Sequence, residues 1–234
     1  FDLLVEMAEH KEAIEHDDLK AIDLLEEAAE IDASDLECLL QLAELHFRCE
    51  QWFDAGKWYR HCIELMGANA DGKLVCQAHY RLGYTCEKLE QFEQALSCYQ
   101  QAVHADPTSL AALEALAQML LGLERFEEAK EAFEKIISHH RAELTESEIV
   151  DIHWQLGELA KELGDAAVAR QSYEHAIAMD PNHAHSLRAL GELEAAAERW
   201  EPAYKLLDRY SRLIVEQERE PVLMQLADIA MDHL

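Results

Sequence analysis

The sequence is short of helix-breaking residues and of positive charge. Its 234 residues include four prolines, eight glycines and 20 Lys+Arg, which face 48 Asp+Glu and leave a net charge of −28. Half of the residues are hydrophobic, a share too high for an intrinsically disordered chain. No apolar run approaches the roughly 18 residues of a membrane-spanning helix, so we expect no membrane insertion. The excess of negative charge repels phosphate groups and no basic patch interrupts it, so we expect no nucleic-acid partner.

Motifs for catalysis and cofactor binding are also missing. The chain contains no Gly-x-Gly-x-x-Gly, no phosphate-binding loop and no Gly-x-Ser-x-Gly turn of a serine nucleophile. Its clustered histidines, His139-His140 and His183-x-His185, have no cysteine or acidic partners at the spacing of a zinc site. The sequence therefore predicts a protein that is not an enzyme and that uses no metal or other cofactor.

Apolar residues recur every three or four positions along almost the whole chain, for example over residues 110–120. This is the period of an α-helix, and no segment alternates with the period of a β-strand. Two capping boxes, Ser34-x-x-Glu37 and Thr145-x-x-Glu148, predict helix starts. Pro202 and Pro221 are predicted to be first helical residues. The fold class predicted from these patterns is all-α.

An internal repeat divides the chain into helical pairs. Alanines that precede an aromatic residue or leucine by four positions are spaced by 34, 40, 34, 40 and 34 residues, at Ala21, Ala55, Ala95, Ala129, Ala169 and Ala203. The predicted repeats are 2–35, 36–75, 76–109, 110–149, 150–183 and 184–217, followed by a lone helix over 220–234. The two longer spacings each add six residues, near 66–73 and 139–148, which either longer turns or longer helices would absorb.

Repeat 76–109 resembles the tetratricopeptide repeat, a 34-residue helix-turn-helix unit. The matching residues are Leu82-Gly83, Ala95, Tyr99, Ala102 and Pro107. Repeat 150–183 carries the same set as Leu156-Gly157, Ala169, Tyr173, Ala176 and Pro181. The first repeat departs from the pattern, with Glu9 at the small eighth position. The resemblance implies one domain over 1–234, a right-handed superhelical solenoid of about six helical pairs and a terminal helix.

The resemblance also implies a concave groove lined by the first helix of each repeat. The candidate partner-binding residues on that face are Glu44, Tyr80, Tyr84, Glu87, Glu114, Gln118, Trp154, Glu158, Arg188 and Glu192. Its aromatic residues could anchor a peptide or helix of another protein, and its carboxylates favour Lys or Arg in that ligand. Alternatively, Tyr80, Tyr84 and Trp154 pack against the neighbouring repeat, and the sequence leaves both roles open.

Six cysteines lie in the first half of the chain, without a Cys-x-x-Cys pair. In a chain of this length they are expected to be free thiols in a reducing compartment, which favours the cytoplasm. Cys62 and Cys86 occupy buried repeat positions and are predicted to be small core residues. Cys49 and Cys98 are expected to be exposed, which makes them the candidates for redox chemistry.

The predicted function is a protein-protein interaction scaffold or adaptor. Two alternatives stay open. Because the chain begins without methionine and ends on an apolar helix, it could be the targeting or regulatory arm of a longer enzyme. The same terminal helix could instead stack on a second copy and drive self-association.

Overall fold

The structure, a computed structural model, describes residues 1–67 and 70–233. Every regular element in these residues is helical, which confirms the predicted all-α class. A π-helical turn follows α1 directly, at Lys11–Glu15. In chain order the α-helices are α1 (Asp2–His10), α2 (Asp18–Ile31), α3 (Leu36–Arg48), α4 (Trp52–Leu65), α5 (Gly72–Lys88), α6 (Phe92–Ala105), α7 (Leu110–Gly122), α8 (Phe126–His140), α9 (Glu146–Glu162), α10 (Ala166–Met179), α11 (Ala184–Ala196), α12 (Trp200–Ser211) and α13 (Glu216–His233).

The first of two compact units comprises Phe1–Leu120. Within it α1 packs against α2, α3 against α4, and α5 against α6, so each of the first three predicted repeats forms a helical hairpin. Successive hairpins are also in contact, because α3 packs on α2 and α5 packs on α4. One core cluster buries Leu25, Leu39 and Leu42 between the first two hairpins.

The second compact unit comprises Leu121–Leu234. Here α9 and α10 form one hairpin, α11 and α12 form the next, and α8 and α11 pack against α9 and α10 respectively. A core cluster containing Tyr173 and Leu190 joins these hairpins. A second cluster joins Leu207 of α12 to Leu226 of α13, so the terminal helix covers the last hairpin.

Longer first helices absorb much of the two longer repeat spacings. α5 and α9 have 17 residues each, whereas α3, α7 and α11 have 13. α5 begins at Gly72 and α9 begins at Glu146, each four residues before the predicted repeat starts at 76 and 150. Extended helices are therefore the alternative observed, although residues 68 and 69 of the first insertion lie outside the described residues.

One predicted capping box is confirmed and the other is wrong. The Thr145 hydroxyl accepts from the backbone N–H of Glu148, whose carboxylate accepts from the Thr145 N–H. At the start of α3 the cap is instead Asp35, whose carboxylate accepts from the Cys38 N–H at 2.8 Å. Ser34 does not cap α3, because its hydroxyl donates to the aspartate two residues before it.

The two prolines lie inside helices rather than at their first residues. Pro202 is the third residue of α12, where a backbone N–H would have no intrahelical acceptor, so the proline removes no hydrogen bond. Pro221 is the sixth residue of α13, because this helix begins at Glu216 rather than near 220. Its predicted last residue, Leu234, lies outside the described residues.

Small residues at the eighth repeat position let the two helices of a hairpin approach closely. A Cβ added to Gly157 would lie 2.3 Å from the Tyr173 ring, and one added to Gly83 would lie 2.7 Å from the tyrosine ring of its own hairpin. Both distances are too short for non-bonded carbon atoms, so even a methyl group would displace the ring. In the first repeat Glu9 is exposed, and the neighbouring Ala8 is buried instead.

We expect Gly157→Ala to destabilise the protein by about 1–3 kcal/mol, because the new methyl group overpacks the hairpin. The matched control is Gly122→Ala, where an added Cβ meets nothing within 4 Å and alanine favours the helix by up to about 1 kcal/mol. Urea denaturation followed by circular dichroism measures both effects. Equal shifts of the two midpoints would contradict the close approach at Gly157.

Candidate partner-binding surface

Three of the predicted groove glutamates accept a hydrogen bond from a tyrosine of their own hairpin. In each case the tyrosine is on the second helix and the glutamate is on the first. The O···O distances are 2.6, 2.9 and 2.6 Å for the pairs Tyr59–Glu44, Tyr99–Glu87 and Tyr173–Glu158. Burial raises the pKa of all three tyrosines and the adjacent carboxylate raises it further, so the hydroxyls stay protonated and donate at neutral pH.

Two of these carboxylates also have a cationic partner. Arg81 Nη2 lies 2.9 Å from Glu44 Oε1, and Lys161 Nζ lies 3.3 Å from Glu158 Oε2. A carboxylate held by two donors loses little further conformational freedom when a ligand binds. The predicted acidic surface is therefore ordered at these positions, and part of its charge is compensated within the chain.

The aromatic candidates of the first compact unit pack against neighbouring side chains. The half-buried Tyr84 ring lies 5.3 Å from Phe47 and 5.9 Å from Trp52, centroid to centroid. Tyr80 is also half-buried, with its ring 6.0 Å from that of Tyr99. Tyr80 and Tyr84 therefore make packing contacts, which is one of the two roles that the sequence left open for them.

A cleft of about 390 Å³ in the first compact unit contains the Glu44–Arg81 ion pair. Its apolar wall includes Leu40 and Leu74. A second arginine of the cleft, Arg48, pairs with carboxylates of the π-helical turn and α2. Both cations are thus compensated, and the cleft has no net positive charge. The remaining predicted residues of this unit, Glu87, Glu114 and Gln118, have exposed side chains.

Trp154 lines two clefts of the second compact unit. The body of its indole packs on the core cluster that contains Ala189 and Leu190. One face meets the His185 ring at 5.1 Å, with an interplanar angle of 34°, and a second histidine, His183, lies 6.4 Å away. The ring is half-buried, so it is positioned by the fold and still reaches the surface.

Three clefts of the second compact unit are linked by shared lining residues. A cleft of about 420 Å³ and a cleft of about 210 Å³ share Trp154 and Glu158. The cleft of about 210 Å³ also shares Arg188 and Glu192 with a third cleft of about 410 Å³. We call the three together the Trp154 groove. Its lining residues are Leu121, Glu124, Phe126, Trp154, Gln155, Glu158, Leu159, Lys161, Glu162, His185, Arg188, Ala189, Glu192, Leu207, Tyr210, Gln217, Glu218, Pro221, Val222 and Gln225.

The Trp154 groove is acidic. Its lining holds five carboxylates and two cations, a net charge of −3 with His185 neutral. Arg188 Nε lies 2.8 Å from Glu192 Oε1, so each cation of the lining is paired with a glutamate of the same groove. The remaining carboxylates belong to Glu124, Glu162 and Glu218. The electrostatic surplus in the groove therefore favours a cationic ligand.

The structure brings four predicted residues together, namely Trp154, Glu158, Arg188 and Glu192. Sequence reasoning missed the apolar contributions of Phe126 on α8, Tyr210 on α12 and Val222 on α13. It restricted the lining to selected positions on the first helices, whereas two of these residues are on second helices and one is on the terminal helix. The apolar character of 222–226 was the signal that could have indicated the contribution of α13.

One of the clustered histidines, His183, has a structural role. His183 caps α11, because its ring accepts from the Ser186 N–H, and its Nε2 atom faces Asp151 Oδ1 at 3.2 Å. No three His, Cys, Asp or Glu side chains within residues 1–67 and 70–233 are arranged to hold a metal ion. In the same part of the chain, no helix has both the length and the apolar character needed to cross a bilayer.

Stacked helical hairpins with a small residue at one fixed position define a helical-repeat protein. Three models of the tetratricopeptide repeat match residues 35–107, 88–145 and 150–183. The chain belongs to the tetratricopeptide repeat family, which confirms the resemblance and the helical-repeat solenoid class. Repeats of this family serve in general as non-enzymatic protein-interaction modules.

Solved structures of the same fold cover most of the chain. YrrB, described as a TPR protein with an unusual peptide-binding site, is 18% identical with a TM-score of 0.66, over 86% of this chain and 96% of YrrB. MamA is 16% identical with a TM-score of 0.60, over 85% and 96% of the two chains. MamA from Desulfovibrio magneticus, residues 41 to the end, is 12% identical with a TM-score of 0.58, over 80% and 95%. At these identities the likeness establishes the fold.

We expect Tyr173→Phe to cost about 1–2 kcal/mol of unfolding free energy, because a half-buried carboxylate loses a donor. A double-mutant cycle with Glu158→Ala isolates the pair, with an expected coupling of about 1 kcal/mol. Urea denaturation of the four proteins measures it. Additive effects of the two substitutions would mean that the Tyr173–Glu158 hydrogen bond contributes no stability.

Proposed function

We propose that this chain is an interaction scaffold whose Trp154 groove binds a Lys- or Arg-containing peptide or helix of another protein. The observation that carries the proposal is the coincidence of a positioned indole and an acidic lining in three clefts that share residues. A ligand could insert an apolar side chain beside Trp154 and place cations near Glu158 and Glu192. Aromatic anchors with a surrounding polar rim are typical of binding hot spots.

The internal hydrogen bonds support this role. Glu158 is held by Tyr173, so its position in the groove is set before a ligand arrives. The exposed side chains of Lys161 and Arg188 pair with Glu158 and Glu192, respectively, when no ligand is in the groove. A cation of the ligand would take their place, and the displaced cations would turn to water at little cost because exposed ion pairs are weak.

The proposed ligand is a protein segment and the proposed compartment is the cytoplasm. All six cysteines are free thiols, which supports a reducing environment. In this proposal the chain performs no reaction of its own. Glu44 and Arg81 in the cleft of the first compact unit, together with Tyr80, Tyr84, Glu87, Glu114 and Gln118, are proposed as secondary contacts.

The proposal is tested with two 12-residue fluorescent peptides that alternate leucine with either lysine or glutamate. We expect the lysine peptide to bind and the glutamate peptide not to bind. The variant Glu158→Gln/Glu192→Gln should weaken binding of the lysine peptide roughly 5- to 30-fold at low salt, because two groove charges are lost at about 0.5–1 kcal/mol each. Fluorescence anisotropy at low and high salt measures the affinities.

The control is Glu131→Gln/Glu134→Gln, which removes the same charge from exposed positions on α8 outside the three clefts. Glutamine keeps an acceptor for the Tyr173 hydroxyl, so the groove variant should remain folded. If the groove and control variants lose affinity equally, binding reflects overall charge and the groove assignment is wrong. Retained affinity in both variants would also exclude the groove.

A further inference from the structure

The negative charge of the Trp154 groove is concentrated in one of its three clefts. The cleft of about 420 Å³ is lined by three carboxylates and by no cation. The lining of the cleft of about 210 Å³ has two carboxylates and two cations, and that of the cleft of about 410 Å³ has two carboxylates and one cation. We call the most acidic of the three, which Phe126 and Trp154 line together, the Phe126 cleft.

Two of the three carboxylates in the Phe126 cleft are available to a ligand. Glu158 already accepts from the Tyr173 hydroxyl and lies 3.3 Å from Lys161 Nζ. Glu124 and Glu162 are exposed, and the two cations of the groove pair with other glutamates. A cationic group that enters this cleft therefore meets negative charge that the groove itself does not compensate.

The other walls of the Phe126 cleft are apolar and aromatic. Phe126 is the first residue of α8, and its ring and that of Trp154 are both half-buried. Leu121 and Leu159 complete the apolar lining. The His185 ring, which packs on the indole, lines only the cleft of about 210 Å³. Two aromatic rings thus border the acidic cleft, at positions that the fold sets.

Helical spacing places the acidic and aromatic residues of α9 together. Trp154, Glu158 and Glu162 follow one another at intervals of four residues, so they lie along one face of the helix. Glu124 comes from the turn between α7 and α8. The cleft volume lies within the range of about 300–1,000 Å³ that is typical of ligand pockets.

Gln155 adds an unused acceptor to the same lining. Its side-chain oxygen Oε1 is buried and has no hydrogen-bond partner among the described residues. A buried acceptor without a donor is unfavourable, and a donor brought by a ligand would relieve it. The cleft therefore favours a ligand group that carries several N–H donors as well as positive charge.

Given the proposed function of the Trp154 groove, on which this inference rests, we propose that the Phe126 cleft binds an arginine side chain of the partner segment. A guanidinium is planar, stacks on aromatic rings and is more weakly hydrated than an ammonium group. Its five N–H groups can serve more than one acceptor, whereas the lysine ammonium is a compact, strongly hydrated point charge. The cleft thus selects arginine over lysine.

The test compares two 12-residue fluorescent peptides by anisotropy at low salt. One alternates leucine with lysine, and the other differs only in a single central arginine. We expect the arginine peptide to bind roughly five-fold more tightly. The variant Glu124→Gln/Glu162→Gln should reduce this preference to less than about two-fold, because the two uncompensated carboxylates are lost. The control Glu131→Gln/Glu134→Gln, which removes equal charge outside the groove, should keep the preference.

A second pair of variants tests the aromatic wall. Phe126→Leu keeps an apolar side chain but removes the ring, and it should reduce the arginine preference by at least about two-fold. The matched control is Phe92→Leu, at the first residue of α6, because Phe92 is exposed and belongs to the first compact unit. This control should leave the preference unchanged. Circular dichroism verifies that every variant is folded.

The outcomes separate this pocket from the function of the groove as a whole. Equal affinities of the two peptides for the unchanged chain would overturn the arginine pocket and leave the groove assignment intact. An arginine preference that persists in Glu124→Gln/Glu162→Gln would mean that arginine binds elsewhere, which would also overturn the pocket. If neither peptide binds, the proposed function fails and the pocket fails with it.

Discussion

The close approach of the two helices in each hairpin is the constraint on which the rest of the structure depends. At Gly157 the opposing Tyr173 ring occupies the space that a side chain would need. This contact fixes the distance between the two helices, and therefore also the position of the tyrosine hydroxyl. The hydroxyl emerges at the surface of the first helix, where Glu158 accepts its hydrogen bond. Core packing therefore positions a surface carboxylate.

The acidic residues of the candidate surface are therefore not all free, solvated charges. The sequence has 48 acidic residues, yet several of those on the candidate surface are engaged by tyrosine hydroxyls or by cations of the same chain. The surface is better described as an array of fixed acceptors than as a diffuse negative charge. Fixed acceptors confer specificity, because a ligand must match their positions as well as their sign.

The repeat architecture also explains why similar positions have different roles. Tyr59, Tyr99 and Tyr173 share one position in their repeats, and each has a glutamate within reach. Leu207 occupies the same position in the sixth repeat and cannot donate, and there Glu192 pairs with Arg188. One helical scaffold thus presents a different set of contacts in each repeat, and a partner can be selected by a few substitutions without altering the core.

The all-α class, the helical-repeat class and the small positions such as Gly83 followed from the sequence alone. Helical periodicity and spacing are local properties that packing does not reverse. Helix starts were less predictable, because Ser34 and Asp35 both fit a cap and only the folded geometry selects between them. The assembly of Trp154 with residues of α8, α12 and α13 was decided by tertiary structure, and so were the tyrosine bonds to Glu44, Glu87 and Glu158. These features join side chains from different helices, and their distances depend on how closely the helices pack.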